Sequence, residues 1–327
     1  MIKVALLDDY QNVALQKADW ASLADAQVDA FSDHLAEEDA VAARLADYDV
    51  VMALRERTPF PASLLERLPR LKLLASAGKR NAAIDLEACT RLGIVVMGTE
   101  GSARSTMELT WGLILCALRH IPEEQQATRA GRWQLTLGRS LQGLTLGLIG
   151  LGSIGAQTAE VGRAFRMNLI AWSQNLTAER AAECGAAKVP LDELLRQADL
   201  VTIHTRLSDR TRGLLGAREL GLMKPDAWLV NTSRGPIVEE AALLDVLRRR
   251  AIGGAALDTF DVEPLPAGHP FLAMDNVVLT PHLGYVTEGG YDGYYQQTLE
   301  NIRTWRAGSR QERRLMNPEV WEKRRAL

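Results

Sequence analysis

The chain has 327 residues, 47% of them hydrophobic and 24% charged, with a formal net charge of −3. That length exceeds one ordinary core, so two domains are expected, and the composition is that of a soluble globular protein. The slightly acidic balance excludes a general attraction to nucleic acid or to an anionic membrane.

No apolar run is long enough to span a bilayer; the longest, around 113–118, is flanked by Glu108 and Arg119. The start reads as a strand and lacks the charged n-region and cleavage site of a signal peptide. Cys89, Cys116 and Cys184 are odd in number, widely spaced and without metal-like neighbours, so free thiols in a reducing cytoplasm are expected, and no metal site.

In chain order, short apolar runs at 4–7, 50–53, 71–76 and 94–97 alternate with helical spacing at 14–23, 37–45, 61–68 and 85–92. Such alternation predicts a parallel sheet covered by helices. A long helix is expected over 102–119, where Leu109, Gly112, Leu113, Cys116 and Ala117 recur at three- and four-residue steps and Pro122 marks the end. A second alternating series follows, with strands expected at 144–149, 169–173, 200–205, 228–232, 254–258 and 277–280. After His282 the chain is expected to turn through Gly284, Gly289 and Gly290 into a helix at about 294–305 that returns to the first unit. The expected architecture is α/β: two doubly wound parallel-sheet domains, a flavodoxin-like one from 1–98 plus 286–327 and a Rossmann-type one from 99–285.

The second series opens on a strand followed by Gly150, Gly152 and Gly155 at Gly-x-Gly-x-x-Gly spacing, then a helix over 156–165. In that setting each glycine has a task. Gly150 permits the tight turn, Gly152 lets backbone approach phosphates, and Gly155 lets helix and strand pack closely. The free N–H groups at the helix start then face an anion.

In such a sheet the ligand lies beyond the carboxyl ends of the strands. Three of those ends carry polar groups: Arg234 after the fourth strand, Asp258 and Glu263 after the fifth, His282 after the sixth. A cation, a carboxylate and an imidazole on one rim suit hydride transfer at an oxygen-bearing carbon. His282 would exchange the hydroxyl proton, Glu263 would hold the other ring nitrogen, and Arg234 would clamp a carboxylate and polarise the neighbouring carbonyl. A 2-oxo or 2-hydroxy acid meets those requirements.

At this point the chain resembles the D-isomer-specific 2-hydroxyacid dehydrogenase family over nearly its whole length. The matching stretches are Arg129-Ala-Gly-Arg-Trp133, the glycine motif 143–155, Arg210-Thr-Arg-Gly213, Asn231-Thr-Ser-Arg-Gly235, Leu257-Asp-Thr-Phe-Asp-Val-Glu-Pro264 and Pro281-His282. The resemblance implies a substrate domain built from both chain ends, a nicotinamide cofactor, NAD(H) or NADP(H), in the central domain, and a homodimer. It implies Arg234, Glu263 and His282 as the catalytic trio, Asp258 near the nicotinamide amide and Thr106 against the nicotinamide ring. The cofactor would be lined by Ser153 and Ile154 of the glycine motif, by Ser173, Gln174 and Asn175, by His204, Thr205, Arg206 and Thr211, and by Thr232 and Gly284. Ala77, Gly78 and Lys79 match the loop whose backbone N–H groups hold the substrate carboxylate, with Arg234 facing it. The implied substrate is a small 2-oxo or 2-hydroxy acid, as in a glyoxylate or hydroxypyruvate reductase. A dinucleotide-sensing module like the family's corepressors and a phosphite-type dehydrogenase are the alternatives. With only a short stretch after 313, the regulatory domain of some phosphoglycerate dehydrogenases is not expected.

Two departures stand out. Where relatives carry the acid that bonds the ribose hydroxyls of NAD, this chain has Ser173, followed by Gln174 and Asn175. With Arg206 ending what reads as the neighbouring strand, tolerance of NADP(H) is expected. The substrate loop reads Ser76-Ala-Gly-Lys-Arg-Asn-Ala-Ala-Ile-Asp85, so Lys79 and Arg80 either recognise a second anionic group or are solvated.

Overall fold

A computed structural model describes residues 1–310 and 312–322. They form two compact units: Met1–Ser102 with the described residues from Thr287 onward, and Ala103–Val286.

The first unit is built on five parallel strands, β1 (Ile2–Leu6), β2 (Ala26–Ala30), β3 (Val50–Ala53), β4 (Leu73–Ser76) and β5 (Val95–Gly98), in the order β2-β1-β3-β4-β5. This is the flavodoxin-like arrangement. β3, β4 and β5 are buried throughout, as their continuous apolar runs imply. Val51, Leu74 and Val96 pack with Phe60, Leu64 and Leu65 in one core.

The helix expected over 14–23 is replaced by two short 3₁₀ turns, Ala14–Gln16 and Trp20–Ser22, and by the edge strand β2 just after them. The cause is local capture of backbone groups. Asp9 accepts from Val13 N and Ala14 N at 3.0 and 2.9 Å, and Trp20 Nε1 donates to Ala14 O at 2.9 Å. A carbonyl bound by an indole is lost to a helical ladder.

β5 would be an open edge. Residues 314–317 cover it: Gly98 N donates to Arg314 O and Met316 N to Val96 O, both at 2.8 Å. Asn317, buried, accepts from Val96 N at 2.8 Å and donates to Ile94 O at 2.9 Å. The helix Glu288–Arg306 belongs to this unit, with Asn301 Nδ2 on Gly98 O at 3.0 Å. Gly289 and Gly290 lie in its first turn and not in the expected loop, because the Thr287 hydroxyl caps the helix by accepting from Gly290 N.

The second unit carries seven parallel strands: β6 (Thr145–Ile149), β7 (Asn168–Trp172), β8 (Ala187–Lys188), β9 (Leu200–Ile203), β10 (Trp228–Asn231), β11 (Gly254–Leu257) and β12 (Val277–Leu279). Their order is β12-β11-β10-β9-β6-β7-β8. Alternate residues feed two cores: Leu146, Leu148, Val230 and Ala256 pack on Trp111 and Ile114 of the helix Ala103–Arg119, and Ile149, Val201, Leu229 and Leu257 pack on Leu194, Leu243 and Phe260. Pro122 marks the end of the first helix, as expected, and also opens a second, Ile121–Arg129; His120 at φ 52° breaks the first helix, and the proline sits where no N–H is needed.

β8 corrects one expectation. Its two exposed residues carry no apolar pattern, so the strand at 200–203 reads as the third when it is the fourth. It pairs with β6, which separates it from β7. Arg206 therefore follows a strand that is not beside the end of β7. Among the described residues no helix is long and apolar enough to cross a membrane.

Candidate active site

The glycine turn is shaped as the sequence demands. Gly150 has φ +100°, and a Cβ there would lie 2.8 Å from the His204 backbone. A Cβ on Gly155 would lie 2.2 Å from Gly150 O, whereas one on Gly152 would meet nothing within 4 Å. Gly152 is also the N-cap of the helix Ser153–Ala164. The turn is closed tightly beneath and open above the helix N-terminus, which fits a dinucleotide pyrophosphate.

Around this cradle, Ser173, Gln174 and Asn175 form the turn after β7, with Ser173 half-buried and the other two exposed. His204 follows β9; its Nε2 lies 3.0 Å from Thr202 Oγ1, and loss of solvation pushes its pKa down to about 3. The ring is neutral at physiological pH. Arg206 is exposed, and the Thr211 hydroxyl is spent on its own loop, donating to Arg206 O at 2.6 Å and accepting from Ser208 N at 2.8 Å.

β10, β11 and β12 are neighbours, so the residues following them emerge side by side. His282 is buried, at φ +53°, with Nδ1 2.6 Å from Glu263 Oε2. Glu263 Oε1 accepts from Phe260 N at 2.9 Å, so its own loop aims the carboxylate. The Tyr285 ring meets the imidazole edge-on at 5.5 Å. Arg234 is half-buried and donates from Nη1 to Ser233 O at 2.6 Å.

Asp258 has a task the sequence did not disclose. Its Oδ1 accepts from Thr280 Oγ1 at 2.6 Å and Leu283 N at 2.7 Å, and its Oδ2 accepts from Gly284 N at 2.9 Å. The carboxylate thus ties down both flanks of His282. Thr106 Oγ1 donates to Gly284 O at 2.9 Å, and Thr110 shares a 2.8 Å hydrogen bond with Thr232. Thr110 bears on the site unannounced, four residues after Thr106 on the same helix face.

Burial raises the Asp258 pKa, outweighing the hydrogen bonds from Thr280, Leu283 and Gly284 that pull it down. The sign follows. Between the ordinary value of 3.8 and the raised one, the folded state keeps a proton the unfolded chain has lost, so this group's contribution to stability falls as pH rises through that window. Activity is expected to run the other way if His282 carries the proton, because the charged form holds its loop. The acid limb of kcat/KM is expected above the ordinary carboxylate range. Asp258→Asn is expected to remove that limb and to cost roughly ten- to a hundredfold, the worth of a charged hydrogen bond of ~1.5–3 kcal/mol. An unchanged acid limb in the variant's pH profile would rule out this role.

In the first unit the loop after β4 differs from expectation. Ala77 N donates to Ala53 O at 3.0 Å and Gly78 N to Thr99 Oγ1 at 2.8 Å, so two of the three matched N–H groups are engaged within the unit. Lys79 Nζ lies 2.8 Å from Glu100, and both are exposed; such a pair is worth about 0–1 kcal/mol. Arg80 is exposed. Gly78, at φ +101°, leaves room for Arg55, whose NH1 lies 2.1 Å from where a Cβ would sit and donates to Ala77 O at 3.3 Å. Arg55 went unnoticed in the sequence; its position just past the apolar run of β3 was the available signal.

Two histidines without an evident pattern have carboxylate partners: His34 Nδ1 lies 2.9 Å from Asp8, and His269 Nε2 3.1 Å from Glu240. Among the described residues no group of three or more His, Cys, Asp or Glu side chains could hold a metal ion.

The NAD binding domain of the D-isomer specific 2-hydroxyacid dehydrogenases matches residues 111–284, more than half the chain. This chain belongs to that family. It is 44% identical over 234 residues to a glyoxylate reductase of Aeropyrum pernix, covering 68% of this chain and 70% of the relative. A D-3-phosphoglycerate dehydrogenase of Methanocaldococcus jannaschii is 39% identical over 242 residues, 73% of this chain; the match spans about half of that longer relative, 46%. A phosphoglycerate oxidoreductase from Vibrio cholerae superposes with a TM-score of 0.90 at 38% identity, over 94% of this chain and 100% of that one. The family is one of nicotinamide-dependent 2-hydroxyacid dehydrogenases, and both parallel α/β sheets conform to it.

Proposed function

We propose that this chain interconverts a small 2-oxo acid and its D-2-hydroxy acid, in the manner of a glyoxylate or hydroxypyruvate reductase. The second unit would be the dinucleotide-binding domain and the first the substrate domain. The observation that carries the reading is the 2.6 Å His282–Glu263 pair, formed across the ends of β12 and β11, with β11 adjoining the strand that Arg234 follows. Glu263 holds Nδ1 and orients the ring, and His282 would give a proton to the substrate oxygen on reduction and take it back on oxidation. Arg234 clamps the carboxylate in its planar fork and polarises the adjacent carbonyl. A nicotinamide bound there would supply or accept the hydride. Gly150, Gly152, Ser153, Ile154 and Gly155 would hold the pyrophosphate, with Thr106, Thr232 and Gly284 bordering the nicotinamide end.

Ser173 leaves the ribose without its usual carboxylate, so NADPH is proposed to serve beside NADH. Losing a charged hydrogen bond of ~1.5–3 kcal/mol removes roughly ten- to a hundredfold of NAD preference. Ser173→Asp is expected to restore that factor in the ratio of kcat/KM for the two cofactors. On the substrate side, Lys79, Arg80 and Arg55 would favour a substrate with a second anionic group. The pairing of Lys79 with exposed Glu100 weakens its share of that preference. Trp133, Leu135 and Leu137, exposed at 75%, 52% and 94%, form an alternating apolar stripe of the kind a second copy covers, in keeping with a homodimer. A cytoplasmic location fits the free thiols.

Absorbance at 340 nm with glyoxylate, hydroxypyruvate, pyruvate and phenylpyruvate, each with NADH and NADPH, tests the reading. Turnover of at least one 2-oxo acid is expected. Tight NADH binding without turnover of any would favour the binding-module alternative, and a hundredfold preference for NADH would end the NADPH proposal.

A further inference from the structure

We infer that Asn231 is a positioning residue that sets the Arg234 guanidinium against the substrate carboxylate. It is the last residue of β10 and is 1% exposed. Its side chain spans the turn that follows: Oδ1 accepts from Ser233 N at 3.0 Å, and Nδ2 donates to Arg234 O at 2.9 Å. An amide is the group that does both at once, since it carries an acceptor and a donor on one rigid plane. With both bonds made, the Arg234 backbone cannot rotate independently of the sheet.

Two further contacts close the turn. Ser233 Oγ donates to Thr205 O at 2.5 Å, tying it to the residues after β9. On the other flank a Cβ on Gly235 would lie 2.2 Å from the carbonyl carbon of Phe260, so the turn rests directly on the backbone whose N–H aims Glu263. Asn231 is the one member of this set that acts on Arg234 and touches neither the glycine cradle nor the Glu263–His282 pair. Its loss is therefore expected to move the cation without moving the imidazole or the cofactor. A displacement of about 1 Å in a clamp of this kind costs on the order of a hundredfold in rate.

This inference rests on Arg234 acting as the clamp, and the test separates the two. Asn231→Ser and Asn231→Asp are made in the full chain and in an Arg234→Ala background. The single-turnover rate of NADH oxidation is measured at micromolar enzyme with the 2-oxo acid the wild type turns over fastest. NADH affinity by fluorescence and melting temperature are measured beside it. Asn231→Asp keeps the acceptor for Ser233 N and turns the donor to Arg234 O into a second acceptor carrying charge, so it breaks the same bond by a different route if the serine variant folds poorly. The expected result is a loss of roughly a hundredfold in rate at wild-type NADH affinity, with no further loss when Arg234 is already alanine. Equal losses in both backgrounds, a parallel fall in NADH affinity, or a wild-type rate with Arg234→Ala slow would each overturn the inference alone. A wild-type rate in Arg234→Ala would overturn the clamp, and this inference with it.

Discussion

Asn in place of His282 is expected to lower kcat by roughly 10²–10⁴ while NADH affinity stays at its wild-type value. The imidazole is buried, and Glu263 Oε2 holds Nδ1 at 2.6 Å, so the ring is fixed in orientation. Asparagine fits the site and still reaches a carboxylate through its amide, but it has no titrating nitrogen to pass a proton. The cradle at Gly150–Gly155 lies on β6, separated in the sheet from β12 by β9, β10 and β11, so cofactor affinity provides the control. Glu263→Gln should fall between wild type and His282→Asn: a hydrogen bond to Nδ1 remains possible, but it is no longer charge-assisted. Steady-state kinetics with an independent NADH titration checks this. A His282→Asn enzyme within tenfold of wild-type kcat would remove the imidazole from the chemistry.

Gly155→Ala is expected to weaken NADH binding by about five- to a hundredfold and to lower the melting temperature as well. The added methyl would lie 2.2 Å from Gly150 O and 3.1 Å from Gly150 C, both backbone atoms of a turn that already requires φ +100°. Neither can swing aside as a side-chain tip would, so the helix Ser153–Ala164 must slide off the strand, at an overpacking cost of ~1–3 kcal/mol. That motion carries the N–H groups of the helix start away from the phosphates. Gly152→Ala offers the contrast, because its methyl would meet nothing within 4 Å. It should leave the melting temperature intact and weaken NADH by occupying the space the pyrophosphate needs. Paired melts and fluorescence titrations read both effects. Wild-type NADH affinity in Gly152→Ala would place the phosphates elsewhere.

Much of this was legible in the chain. The buried strands β3, β4, β5 and β6 through β12 (β8 excepted) announce themselves because a strand covered on both faces must be apolar along its length. The glycine spacing is equally direct, since only glycine accepts the φ at 150 and the absent Cβ at 155. Arg234, Glu263 and His282 could be singled out because each follows a run that has to be a strand.

Other features were not legible, each for a physical reason. β8 is two exposed residues whose pairing depends wholly on β7, so no pattern marks it; missing it put Arg206 beside the wrong strand. The region at 14–23 has helical spacing, but Asp9 and Trp20 take its backbone groups through side-chain bonds. Asp258 matched a cofactor contact, yet its oxygens are directed at residues 280, 283 and 284 across the neighbouring strand. Gly78 matched a carboxylate-binding N–H that here bonds Thr99.

By itself, the sequence determined that there are two parallel-sheet units, where the glycine turn lies and which strand ends carry polar side chains, because periodicity and glycine conformation are local properties. Only the tertiary structure decided how those side chains are held. Asp258 and Asn231 act through bonds to backbone N–H and C=O groups, which every residue offers alike, so nothing in the order of side chains reveals which ones they will meet.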